Sequence, residues 1–430
     1  MKTGLTAGCC LFLCLSAQGA DLSKDRKEEI VKRILQNLHE RVKTLEDKVQ
    51  PKEKKPLMSV GWKDRLIFST SEGNFQLSLG GLVQNDWAFM VQTNKMRRRI
   101  GPFEDGTEFP RARICAEGLL WKRFVFKAQY DFAEGITSFR DVYLGLEKPP
   151  FFDRLLVGQF KEPFSYGILT DTRDVPFLER STPATTFAPN RNTGLLVERS
   201  FFEERTGIAI GGFHDTNAFG SGVNDNEAEY SVSTRLWIHA LQNKEGDLLS
   251  LSVAYRYAQP PSDQVRFQSR PELHLAPVVV DTGPISARHL HQVDLAGIAV
   301  WQRFWAQSEY IYTFVDRPYG SDPQFSGVSA SCGFFLTGER KPIRRGLSSR
   351  IRPKKRILRD GGSGAWELAA RYSFVGLNDE NVSGGRLHTA TFGVNWYLTS
   401  FLRVTLNYIY VRRICHGEAH IVAWRFQLAF

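Results

Sequence analysis

Ten basic side chains fall between Arg340 and Arg359 with no acidic residue among them: Arg340, Lys341, Arg344, Arg345, Arg350, Arg352, Lys354, Lys355, Arg356 and Arg359. Their chemistry is anion binding, since a guanidinium offers paired donors to phosphate or carboxylate and an ammonium acts as a mobile point charge. A like-charged block of this size is also the composition of a solvated, disordered segment. Folded into an enclosed channel, the same block would focus its potential on passing anions. The sequence leaves both readings open. A second basic set, Lys161, Arg173, Arg180 and Arg191, lies on a connection stiffened by Pro163, Pro176, Pro183 and Pro189. It is interleaved with Glu162, Asp171, Asp174 and Glu179, so these residues can pair to hold the loop's shape and still present cations.

Catalytic alternatives are thin. An enzyme needs a nucleophile or activated water with a paired base, and the suggestive groups are His214 with Asp215 and His239, and His289 with His291. Cys115, Cys332 and Cys415 are too far apart for a disulfide framework or a zinc spacing. No catalytic residue, metal site or cofactor is expected.

The elements that must position these cations begin with an export signal. Residues 1–19 carry Lys2, the apolar run Leu11 to Leu15, and small residues at Ala17 and Gly19, the order of a secretory signal peptide and too short to span a bilayer. Gly8-Cys9 precedes the apolar run instead of following it, which argues against a lipoprotein. The net charge of +10 points to nucleic acid, anionic lipid or anionic solutes, and export removes nucleic acid. Residues 20–50 form an amphipathic helix in which Val31, Leu35, Leu38, Val42, Leu45 and Val49 alternate by fours and threes. That is the seam of a coiled coil, although a helix lying on the barrel or on a membrane surface has a similar face. Residues 51–73 read as a linker and approach to the barrel.

From residue 74 to 430 the period becomes two. Phe75, Leu77, Leu79 alternate with Gln76 and Ser78; Phe124, Phe126, Ala128, Tyr130 with Lys127 and Gln129; Leu402, Val404, Leu406, Tyr408 with Arg403 and Asn407. Sixteen such runs, joined by alternating long and short connections, specify an all-β membrane fold: a 16-stranded antiparallel transmembrane β-barrel with an N-terminal coiled-coil helix. On the polar phase Arg113, Arg235, Arg256, Arg371, Arg403 and Arg425 face the lumen, as charges must in lipid, alongside Glu117, Asp131, Asp141, Asp294 and Glu367. The last run, Trp424, Phe426, Leu428, Phe430, resembles the terminal signal read by the barrel-assembly machinery. By parity, the basic segment 338–364 should be a periplasmic turn, yet it is long.

Particular blocks carry a family resemblance. Phe160-Lys161-Glu162-Pro163-Phe164, Thr172 to Arg180, Phe187 to Gly194, Phe335 to Arg340, Gly364 to Ser373, and Asn395-Trp396-Tyr397 resemble the phosphate-selective porin O and P family. The resemblance implies a homotrimer of sixteen-stranded outer-membrane barrels on a coiled-coil stalk. It also implies a pore narrowed by inward-folded loops bearing Arg and Lys, and passive uptake of phosphate or polyphosphate. The partners implied are small anions, outer-membrane lipid and the assembly machinery. A general or organic-solute porin of the same fold, a barrel enzyme and a surface adhesin are the competing readings.

Overall fold

The computed structural model describes residues 24–49, 57–222 and 229–430, so the signal sequence and the stretch 50–56 lie outside the described residues. Two units are present, divided at Leu57. The first is α1, Lys24–Val49, free of Gly and Pro and opening with Asp25 in its first turn, where a carboxylate favours the helix dipole. Val31, Leu35, Leu38, Val42 and Leu45 are all exposed on it.

The second unit is a closed antiparallel barrel of sixteen strands. They are β1 Phe75–Gln92, β2 Gly106–Leu120, β3 Phe124–Asp131, β4 Ser138–Glu147, β5 Arg154–Lys161, β6 Arg191–Phe201, β7 Thr206–His214 and β8 Tyr230–Gln242. The second half comprises β9 Leu248–Ala258, β10 His289–Trp301, β11 Phe304–Asp316, β12 Gln324–Phe335, β13 Ala365–Asp379, β14 Val382–Tyr397, β15 Leu402–Arg413 and β16 Gly417–Ala429. Each pairs with its sequence neighbour, and β16 closes onto β1 with Leu428 opposite Val83 and Trp424 opposite Trp87. At the seam a Cβ on Gly80 would stand 2.5 Å from the Phe430 carbonyl oxygen, so only glycine lets the last residue dock. Within the stretch read as an approach to the barrel, residues 58–70 form a hairpin that extends the sheet beside the lower part of β1.

All sixteen strands expected from the two-residue period are present. Their outer face is apolar between two aromatic belts. Trp301, Phe304, Phe334, Trp366 and Trp396 mark the short-turn end, and Tyr255, Tyr312, Phe314, Tyr372 and Tyr408 the other. This is how a barrel meets lipid on both interfaces. The long connections 93–105, 162–190 and 259–288 lie at one end, where the last two, 380–381 and 414–416, are short; the other end has short turns except the sixth, 336–364, which is long.

The lumen face departs from the usual polar lining. On the external half of β11–β16, Ile311, Val315, Val375, Leu377, Ile409, Val411 and Ile421 point inward and are buried. The fifth external loop, 259–288, covers them with Phe267, Leu273, Val279 and Ile285. At the periplasmic end, Trp305, Phe335, Ala365 and Tyr397 are covered by Ile343, Leu347 and Ile351 of the sixth turn. Apolar groups facing water inside a channel gain by being buried, so each inserted segment is held by the strand face it hides. Phe267 packs between Phe187 and Phe325, with ring centroids 5.5 and 5.6 Å away. Phe267→Ala should therefore cost about 3–5 kcal/mol of folding free energy, read as a lowered thermal midpoint of the detergent-folded barrel.

Candidate functional site

The third external loop, 162–190, crosses the lumen because inward-facing side chains of the wall grip its backbone in sequence. Arg403 donates to the Val175 carbonyl at 2.8 Å, Asn395 to Pro176 at 2.7 Å, Arg425 to Leu178, Arg371 to Glu179 at 3.0 Å, and Gln292 to Phe187 at 2.7 Å. Where the loop leaves β5, the Glu162 carboxylate accepts from Asn192, Ser231, Ser233 and Arg256. Ser165 and the Gly167 amide both donate to Glu309, at 2.6 and 3.0 Å.

Glu179 ties the two sides of the lumen together. Arg111 of β2 binds it through two parallel bonds of 2.7 and 2.6 Å, and Arg425 of β16, itself paired with Asp86, reaches it at 2.9 Å. Burial opposes the charge on Glu179, yet Arg111 and then Arg425 hold its carboxyl well below the usual carboxylate range.

The fifth external loop is anchored in the same way, by a residue that sequence reading did not select. Glu272 accepts from Arg371 at 2.5 Å, Ser373 at 2.6 Å, Thr389 at 3.0 Å and Thr391 at 2.6 Å. The signal for this inserted loop was the upper part of β13–β16, where Val375 and Leu377, or Ile409 and Val411, leave both faces apolar.

These contacts divide the cations expected on the anion path. Of the strand arginines, Arg256, Arg371, Arg403 and Arg425 are spent on holding the loops, and Arg235 donates to the carbonyls of Arg345 and Gly346. Arg113 is paired with Asp131 at 2.7 Å. They lie on the inward face, and inserted segments lie between most of them and the open lumen.

The basic turn also divides. It folds inward as a short hairpin, Ile343–Arg344 with Leu347–Ser348, and is not a solvated tail. Lys341 is buried with its ammonium 3.8 Å from the Trp305 ring centre, and burial pushes it down to about 8. Arg345 pairs with Glu198 and Glu204, and Arg344 stands beside Glu204. Arg350 shares a small cavity with Arg173 and Asp174. Arg340, Arg352 and Arg356 pair instead with Asp247, Asp64 and Asp360, and Lys354 and Lys355 are exposed. These five are not among the residues that line that small cavity or the three described below.

Four cations of the third-loop region remain at the lumen. Arg173 pairs with Asp171 and Arg191 with Asp141, at 3.0 and 2.7 Å. Lys161 and Arg180 differ, because both donate to neutral oxygens. Lys161 Nζ meets the carbonyls of Ile168, Leu169 and Thr170 at 2.5, 3.4 and 3.2 Å. Arg180 meets the carbonyls of Gly167 and Thr170 at 2.7 and 2.8 Å and the Thr172 hydroxyl at 3.1 Å. Burial, then the proximity of Arg111, pushes the Arg180 guanidinium down to about 9; Glu179 opposes this, and Arg191 and Arg113 add to it. The group stays charged at neutral pH. Arg111, Lys127, Arg140 and Arg154 were not among the sequence-selected residues, although Arg111 is two residues from Arg113 on the same strand phase and Lys127 lies on the polar phase of β3.

Cavities lie on either side of this level. Arg180 and Arg270 line one of about 260 Å³, Arg191 and Arg256 one of about 350 Å³, and Lys127, Lys161 and Arg154 one of about 480 Å³. Of the histidines considered for catalysis, His289 and His291 bond Tyr257 and Tyr255, each at 2.8 Å, on the outer face, while Asp215, beside His214, lines the cavity of about 350 Å³.

Residues 77–430 match the family model for phosphate-selective porin O and P. The chain belongs to this family. A family member of this architecture is a porin of the bacterial outer membrane. Porin O of Pseudomonas aeruginosa is 21% identical over 393 residues, covering 81% of this chain and 85% of that protein. An uncharacterized protein of Caulobacter vibrioides is 25% identical over 382 residues, covering 85% and 75%. Among solved structures, an anion-selective porin from Comamonas acidovorans aligns with TM-score 0.53 at 12% identity, over 83% of this chain and 100% of that one. OmpT of Vibrio cholerae in trimer form aligns with TM-score 0.55 at 10% identity, over 83% and 99%. At these identities the structural likeness is one of fold.

Asp174 gives the porin a pH-dependent charge. Burial and the neighbouring Asp171 push its carboxyl up to about 6, against the pull of Arg173, Arg350 and Arg403. A raised folded-state value means the carboxylate costs stability above that pH, and that protonation on acidification removes one negative charge beside Arg173. Between pH 7 and 5 the preference for anions over cations should therefore rise, and Asp174→Asn should show the acid-pH preference throughout; reversal potentials across that range check it.

Proposed function

We propose that this porin gives passive passage to small anions, with phosphate and polyphosphate the first candidates, and works as a homotrimer. The observation that carries the reading is that Lys161 and Arg180 are oriented by backbone carbonyls and form no ion pair among the described residues. Carbonyl oxygens fix a cation without neutralising it, so a passing anion supplies the opposite charge. Weak successive contacts then let it enter and still leave. Arg111, Arg191 and Lys127 extend the basic surface, and the low-dielectric wall strengthens its field.

The description of the family as phosphate-selective, the name of the Pseudomonas relative and the anion selectivity of the Comamonas porin support the same reading. The exposed stripe on α1 supports a coiled-coil stalk, Val49 continuing its spacing, and the trimer form of the Vibrio protein supports the subunit number. Trp424, Phe426, Leu428 and Phe430 serve as the assembly signal, and the aromatic belts as the contact with outer-membrane lipid. A general or organic-solute porin of the same fold is the second reading, favoured by the carboxylates and apolar side chains of the cavity of about 480 Å³.

Reversal potentials in planar bilayers under a KCl gradient test the proposal. Anion preference is expected, with chloride current inhibited by millimolar phosphate. The double variant Lys161→Gln, Arg180→Gln should lower the anion-to-cation permeability ratio by about tenfold, roughly 1.4 kcal/mol of lost differential interaction. A cation preference in the unmodified protein ends the proposal.

A further inference from the structure

We infer that the external rim of β14–β16, with the short helix beside it, is a docking surface for the phosphate groups of an anionic lipid in the outer leaflet. The inference is independent of the anion path, since it concerns the outer wall of the barrel and not its lumen.

The outward face of these strands changes character in steps toward the rim. Phe392, Leu406, Tyr408 and Val422 are exposed at and below the aromatic belt. The next step is histidine: the Tyr372 and Tyr408 hydroxyls share hydrogen bonds of 2.7 Å with Nδ1 of His388 and His420. Beyond them stand Arg412, opposite His388 in register, and Arg386. Both are exposed, and they alternate with the buried, inward-facing Val411 and Leu387. Two residues along a tilted strand are roughly 5 Å of height. Arg412 stands one such step above Tyr410, within a headgroup layer about 5–8 Å deep.

Helix α2, Asn94–Ile100 in the first external loop, continues the patch. It is fixed to β16, because the Thr93 amide donates to the Glu418 carbonyl at 3.0 Å and the Glu418 amide donates to the Thr93 hydroxyl oxygen at 3.2 Å. Met96 is fully buried, and a Cβ on Gly417 would stand 2.9 Å from its backbone nitrogen, so only glycine lets the helix sit this close. Lys95, Arg97, Arg98 and Arg99 are all exposed on it. Across this helix and residues 382–429, Glu418 is the one acidic side chain, 3.7 Å from Arg412. The rim of β11–β13 is the opposite, with Asp316, Asp322, Asp379 and Glu380 against Arg317.

Six cations against one carboxylate, held above an apolar floor, fit a partner that is anionic at the top and apolar below. The arginine fork offers phosphate paired donors, and each cation at a membrane surface adds to the attraction for anionic lipid. Phe392, Leu406 and Val422 take the acyl chains. The acidic rim of β11–β13 repels the same headgroup, which confines the surface to one sector.

The test titrates the full-length, detergent-folded protein with a bis-phosphorylated, acylated glucosamine disaccharide or with the same lipid stripped of its phosphates. Native mass spectrometry reads the bound lipid. The phosphorylated lipid should bind about tenfold more tightly, and added salt should weaken it. Arg386→Gln with Arg412→Gln, and separately Arg97→Gln with Arg98→Gln and Arg99→Gln, should each remove most of that difference, with heat-modifiable migration showing that the barrel is folded. Lys354→Gln with Lys355→Gln, at the periplasmic end, should change nothing. Equal affinity for the two lipids overturns the assignment without any variant. Displacement of the lipid by millimolar inorganic phosphate also overturns it, as does a folded Arg386→Gln, Arg412→Gln protein that keeps full affinity. A change in subunit number in that variant at unchanged lipid affinity makes this rim a contact between copies instead.

Discussion

Glu179 is the point on which the lumen depends. A carboxylate in the middle of a barrel must be satisfied, and this one is gripped from β2 by Arg111 and from β16 by Arg425 while Arg371 holds its own backbone carbonyl. Breaking a buried pair by removing one partner costs about 3–5 kcal/mol. The loop that carries Glu179 is therefore a fixed part of the wall, and the cations next to it in sequence inherit its position. Arg180 is placed where it is because its neighbour cannot leave.

The arginines then do two different jobs that look the same in a composition count. Arg256, Arg371 and Arg425 bring donors to carboxylates that offset their charge, whereas Arg403 holds its loop through the Val175 carbonyl and bonds the Gln427 amide oxygen. Lys161 and Arg180 are bonded to neutral oxygens instead. The total of +10 does not distinguish cations paired with carboxylates from those bonded to neutral oxygens.

The barrel is also unequal around its circumference. On the side of β10–β16 the inward face is apolar at both ends and is covered by the fifth loop from outside and the sixth turn from the periplasm. The side of β2–β8 combines a charged lining with the apolar cluster of Leu156, Phe160, Leu196 and Trp237, and the cavity of about 480 Å³ lies against it.

The sequence by itself determined the strands, their number and their inward phase, because lipid on one face and polar surroundings on the other impose a period of two that side-chain types must obey. It also placed the third loop's cations and the anomalous length of the basic turn. Which cations are free was decided only by tertiary structure. Arg340 against Asp247, Arg403 on the Val175 carbonyl and Lys341 over Trp305 are contacts between segments far apart in the chain, and charge pairing depends on distance in space. The inserted fifth loop lies between these cases: the doubly apolar ends of β13–β16 required a cover, but only the closed barrel brings Glu272 to Arg371 and Thr391 and so shows which segment supplies it.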